Sequence, residues 1–162
     1  MRFGINSFLW ESPFKTESTK HFKKFKKWGF DSVELPIEDP SHIDPAKVKV
    51  ALDKAGIVCG SVCACMGPDR DLRGNKKQQA TGLKYMKALI DQMVILGCPS
   101  LIGPVYSSVG RADAYSTEEK KKQWASAVRN LKLLCAYAEK NGVQVCLEPL
   151  NRFETDFINT CD

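Results

Sequence analysis

The sequence contains no apolar run near the ~20 residues that a membrane-crossing helix requires, which excludes a helical membrane span. Its opening, Met1 to Trp10, is a short apolar stretch broken by Asn6 and Ser7 and has no small-residue cleavage site, so it does not read as a secretory leader and a cytoplasmic protein is expected. There is no excess of glycine, proline or charge: 43% apolar and 27% charged residues with 11 Gly and 8 Pro exclude collagen-like and disordered chains. Histidine is scarce, with only His21 and His42, which leaves little for a histidine-built metal cluster. The seven cysteines are odd in number, lie in apolar segments and lack Cys-x-x-Cys spacing. They read as reduced thiols acting as small hydrophobes, and neither a disulfide framework nor a thiolate metal site is expected. No glycine-rich phosphate fingerprint follows the first apolar segment, which speaks against a nucleotide-binding doubly wound sheet.

What remains is one domain's length, 162 residues, with a net charge of +5. The lysines gather in two runs, Lys20 to Lys27 and Lys120 to Lys122, on the outer faces of expected helices. Neither run carries a groove-reading motif, so nucleic acid is not an expected partner. The informative pattern is an amphipathic stretch, a glycine and a short apolar run, repeated at Gly29, Gly56, Gly97 and Gly142. Glycine suits that place because the residue just past a helix end commonly takes a left-handed conformation.

The stretches before the glycines carry apolar residues at helical spacing: Phe22, Phe25 and Trp28; Val48, Leu52 and Ala55; Leu83, Met86, Ile90 and Met93; Trp124, Val128, Leu131, Cys135 and Ala138. Asp44 before Pro45, and Thr117 before Glu118 and Glu119, are the expected helix starts. Strands are expected at Phe3 to Leu9, Ser32 to Pro36, Ile57 to Cys65, Ser100 to Val105 and Val143 to Pro149. Strand and helix in strict alternation force a parallel sheet, hence an α/β fold. Uneven glycine spacing places extra residues in the loops Met66 to Lys76 and Tyr106 to Ser116, which follow strands, where such folds keep their chemistry.

Alternation along the fifth strand puts Val143, Val145 and Leu147 against the helices and Gln144, Cys146 and Glu148 on the other face. An inward carboxylate at a strand end needs a cation or hydrogen bonds. Metal binding or catalysis at Glu148 competes with a plainer satisfaction by backbone amides or Arg152. Glu34 and Asn6 repeat the arrangement on earlier strands and read as internal polar links. Cys59, Cys63 and Cys65 are expected on one strand face.

The segment Leu147-Glu148-Pro149-Leu150-Asn151-Arg152-Phe153-Glu154-Thr155 closely resembles the fifth-strand motif of sugar isomerases and epimerases with a xylose-isomerase-like barrel, particularly the ketose 3-epimerases. Gly67 to Leu72 and Gly103 to Gly110 are similar to the same family. The resemblance implies the first five strands and four helices of a (β/α)8 barrel, spanning residues 1–162. It implies that Glu148 binds a divalent metal (Mn, Co or Mg) and transfers protons, and that Glu154 contacts a ketose near its first hydroxyl. It places Trp10 and Phe14 as walls of the sugar site, and Gly67 and Tyr106 at its border. The family's other three metal ligands come from later strands, so the chain, ending at Ile158 to Asp162, is expected to be the front part of an enzyme. Little or no turnover by itself is expected, as is a homo-oligomer through open sheet edges. A non-catalytic half-barrel module is the alternative. The apurinic-site endonucleases share this barrel, but their zinc cluster depends on several strand-end histidines.

Overall fold

A computed structural model of the chain describes residues 1–161, so Asp162, the last residue of the expected domain, lies outside the described residues. Five parallel strands are ordered as in the sequence: β1 (Gly4–Asn6), β2 (Ser32–Ile37), β3 (Val58–Ala64), β4 (Ser100–Gly103) and β5 (Gln144–Leu147). The α-helices α1 (Phe22–Lys27), α2 (Pro45–Ala55), α3 (Lys76–Leu96) and α4 (Thr117–Lys140) connect them, with short 3-10 turns after β1 and β2 and leading into α1. The α/β fold and the parallel sheet are as expected.

The local causes are those of the sequence pattern. Asp44 accepts from the Lys47 amide ahead of Pro45, starting α2, and Asn75 and Gln78 form a reciprocal capping box at α3. Gly56 and Gly97 close these helices at φ +66°, a left-handed geometry that costs any residue with a Cβ. The start of α4 differs by one residue: Ser116, not Thr117, is the cap, its hydroxyl accepting from the Glu119 amide at 3.2 Å. All five strands are shorter than expected except β2, which runs on to Ile37.

The core lies between the sheet's outer face and the helices. Val33, Leu35, Val62 and Leu101 from the strands meet Val48, Leu52, Met86, Leu89, Ile90 and Met93 from the helices, all buried. Two expectations are corrected here. In α4 the buried face carries Gln123, Ala127, Asn130, Leu134 and Ala138, while Trp124 and Cys135 are exposed. The reason is polar: Asn130 donates to the Leu72 carbonyl and to Gln79, each at 2.9 Å, so the helix packs part of its length on hydrogen bonds rather than on its apolar stripe. In β3 the register slips at Gly60, with Val33 opposite Cys59 but Glu34 opposite Ser61. That bulge turns Cys59 into the core and leaves Ser61, Cys63 and Cys65 inward, so the three cysteines do not share a face.

Candidate functional site

Among the described residues no helix covers the sheet's inner face, which forms the wall of a cleft of about 610 Å³, a size within the range of small-molecule sites. Every strand or the loop that follows it contributes: Asn6 at the end of β1 and Phe8 after it, Glu34 within β2 and Glu38 just after it, Cys63 to Gly67 and Arg70 at and beyond the end of β3, Ile102 and Pro104 at the end of β4, and Glu148, Leu150 and Glu154 after β5. Gly103 makes the turn out of β4 possible. Its φ is +118°, and a Cβ there would stand 3.0 Å from the Ala64 carbonyl oxygen.

Four carboxylates therefore share the cleft with one cation, Arg70. Glu34 is fixed on both oxygens, by Asn6 Nδ2 at 2.7 Å and Ser61 Oγ at 2.6 Å, the internal link that alternation suggested. Glu38 accepts from Ser12 Oγ at 2.6 Å. Arg70 donates to the Glu38 carbonyl at 2.8 Å and lies flat over the Tyr85 ring, 4.2 Å from its centre. Tyr85 itself is a brace under the cleft, its hydroxyl donating to the Ile37 carbonyl at 2.5 Å and accepting from the Cys65 amide at 2.9 Å.

Glu148 is differently placed. Among the described residues neither a backbone amide nor Arg152 engages its carboxylate, so the plainer satisfaction weighed from the sequence is absent. Partial removal from water, and then the charges of Glu34 and Glu154, push its carboxyl above the ordinary glutamate value. Its backbone is held firmly: the amide donates to Gly103 at 3.0 Å and the carbonyl accepts from the Tyr106 hydroxyl at 2.9 Å. Glu154 is oriented by a hydrogen bond from the Asn151 side chain.

Of the six residues to which the resemblance gives a role, Glu148, Glu154 and Gly67 line the cleft. Trp10, Phe14 and Tyr106 do not. Phe14 is buried against Phe22, ring centres 6.2 Å apart, and Trp10 packs on Phe25 and Trp28. The 3-10 turn Ser7–Leu9 carries the chain away from the sheet and leaves Phe8 as the aromatic at the cleft. Tyr106 acts from behind, through its hydroxyl. Sequence reasoning passed over Glu38 and Arg70, for which only their positions after β2 and β3 gave a signal. His21 faces Glu11 and His42 precedes α2, so neither histidine reaches the cleft.

An inward, partly desolvated glutamate at the end of the fifth parallel strand is the motif the sequence contains, now in its place. A family model described as xylose isomerase-like TIM barrel matches residues 22–162. The chain belongs to the xylose isomerase-like TIM barrel family. It is 31% identical to D-psicose 3-epimerase of Ruminiclostridium cellulolyticum, over 99% of this chain and 55% of that protein. The crystal structure of D-allulose 3-epimerase from Methylomonas sp. in complex with D-allulose superposes with a TM-score of 0.88 at 24% identity, covering 99% of this chain and 55% of that one. D-psicose 3-epimerase with D-tagatose from Clostridium cellulolyticum H10 gives 0.83 at 25% identity, covering 99% and 56%. The chain thus spans about half the length of the curated relatives it matches, and its open five-stranded sheet corresponds to part of their barrels.

Membership raises the question of a metal. Among the described residues no three His, Cys, Asp or Glu side chains come together tightly enough to hold an ion. Glu148 is a single carboxylate arm, whereas hard divalent cations need several oxygen or nitrogen donors. The residues described do not by themselves fit the family's metal. No helix of the described residues is long and apolar enough to cross a membrane.

Proposed function

We propose that this chain supplies the sugar-binding wall and one proton-transfer arm of a ketose 3-epimerase site. The observation that carries the reading is the convergence of Glu148 and Glu154 on one cleft at the ends of the parallel strands, with the Glu148 carboxyl raised by its surroundings. A carboxylate whose proton affinity is raised is a better base, and its conjugate acid a better donor near neutral pH. Glu148 would take the proton from C3 of the ketose, leaving an enediolate, while Glu154 holds the end of the sugar bearing the first hydroxyl. Glu34, tied up by Asn6 and Ser61, is a fixed acceptor for sugar hydroxyls rather than a mobile base. Inversion at C3 needs further proton-transfer groups on the opposite face of the sugar. These are expected from outside this chain, so the chain alone turns over ketose at background rate.

The test is a titration of the 162-residue chain with D-psicose followed by amide NMR, with D-fructose formation recorded beside Glu148→Gln. Shifts at the cleft residues with no fructose above the variant's background are expected. Absence of sugar-induced shifts overturns the substrate reading, and rapid metal-dependent turnover overturns the partial site. A non-catalytic assembly module is the second reading, favoured by the outer edges of β1 and β5, which pair with no strand among the described residues. The same titration separates the two, because a pure assembly module has no reason to bind sugar.

A further inference from the structure

The segment that carries Glu154 lies beyond the last strand of the sheet, yet Thr155 is fully buried. Its anchorage comes from the two preceding loops. The Gly110 amide donates to the Glu154 carbonyl at 2.8 Å, and the Asp156 amide to the Arg111 carbonyl at 3.3 Å. Behind this short parallel bridge sits Arg73, whose side chain is fully buried. It donates to Asp156 Oδ1 at 2.6 Å and to the Arg111 carbonyl at 2.9 Å, and its guanidinium lies over the Phe157 ring at 4.9 Å. Asp71, also buried, accepts from Arg111 Nη1 at 2.7 Å and from the Arg73 amide at 2.9 Å. Two arginines and two aspartates thus join the loops after β3 and β4 to the segment after β5.

None of these four residues reaches the sugar cleft. Removing opposite charges from water is costly, and apolar replacements of the same volume often stabilise as well or better. What the ion pairs add over an apolar plug is a defined geometry, because a guanidinium fork accepts partners only in its own plane and at fixed spacing. Two residues before Asp156, Glu154 has one side-chain restraint, from Asn151 in the same turn. Its direction in the cleft therefore follows from where the backbone at 154–156 is pinned.

We propose that Arg73 and Asp156 are positioning residues for ketose binding, acting through Glu154, an inference that rests on the sugar-site reading above. The test is a double-mutant cycle on D-psicose affinity in the 162-residue chain, measured by amide NMR. Asp156→Ala is expected to weaken binding about tenfold, the size of a typical coupling between residues in one network. Glu154→Gln is expected to weaken it similarly, and the double variant to be no weaker than Glu154→Gln. A general loss of stability would instead give additive losses, which overturns the proposal. Arg73→Lys keeps a charge opposite Asp156 but loses the fork, so intermediate affinity is expected; it replaces Asp156→Ala in the cycle should that variant fail to fold. Hydrogen exchange at the Gly110 amide, bonded to Glu154, reads the clamp without sugar. It should accelerate in both variants while the β2–β3 ladder keeps its protection, and unchanged exchange overturns the clamp. Failure of the wild-type chain to bind D-psicose overturns the substrate reading instead, so the two failures are distinct.

Discussion

Glu148 carries a cost that depends on pH. Its neighbours hold its carboxyl above the ordinary glutamate value, so the folded chain binds that proton more tightly than the unfolded chain does. Its contribution favours folding fully below the unfolded value and is lost as pH rises through the raised folded value. At neutral pH the ionised group works against the fold. Glu148→Gln is therefore expected to melt at a higher temperature than the wild type at pH 7 and at nearly the same temperature at pH 4. Thermal melts at the two pH values check this, and an equal offset at both would sink it. The inward aim of Glu148 was legible in the sequence, because alternation along an unbroken strand leaves one choice. Cys59 was not legible from alternation, because the bulge at Gly60 breaks it; the glycine inside the strand is the signal that alternation passes over. The placement of Trp10 and Phe14 was not legible for a related reason: they follow a 3-10 turn whose direction no periodicity encodes.

Element boundaries follow the capping chemistry closely, since Asp44, Pro45 and the glycine stops act locally and leave their signature in adjacent residues. Which face a helix buries is less local. The buried face of α4 holds Gln123 and Asn130, and a count of apolar residues necessarily skips a face that packs through hydrogen bonds. Tyr85 on α3 shows the same point at the cleft. Its ring is part of the core, but its hydroxyl joins the ends of β2 and β3 by bridging the Ile37 carbonyl and the Cys65 amide. Tyr85→Phe strips both backbone groups of that partner and removes none of the packing. A loss of about 1–3 kcal/mol is expected from a buried polar group left unpaired, measured by urea unfolding at constant m-value. A loss near zero would mean that the strand ends are held by other contacts. Arg70 stacks on this same ring, and Gly103, at the end of β4, packs against Ala64 at the end of β3, so these contacts also hold the strand ends at the cleft wall.

Parallel direction and the position of the cleft follow from alternation of elements, whereas the sequential strand order, which alternation alone does not fix, leaves two edges of the described sheet open. The outer edges of β1 and β5 pair with no strand among the described residues, and such edges present a row of free amides and carbonyls to any other chain. Apolar side chains accompany both: Phe3, Leu9 and Trp28 near β1, and Leu147, at 45% exposure, on β5. The inner face between them holds Glu34, Cys63 and Ile102, and no layer of the described residues lies above it. Closed barrels remove such edges, whereas the five described strands form an open sheet in the linear order β1 to β5. Association of two chains through these edges is therefore expected, and light scattering at micromolar concentration should report a dimer or larger. A charge placed on an exposed edge blocks strand addition without touching the core. Leu147→Lys should accordingly shift the population toward monomer while far-ultraviolet dichroism stays unchanged. A monomeric wild-type chain would show that its edges are already protected, and would turn attention to the short length of β1 and β5, three and four residues, as the protecting feature.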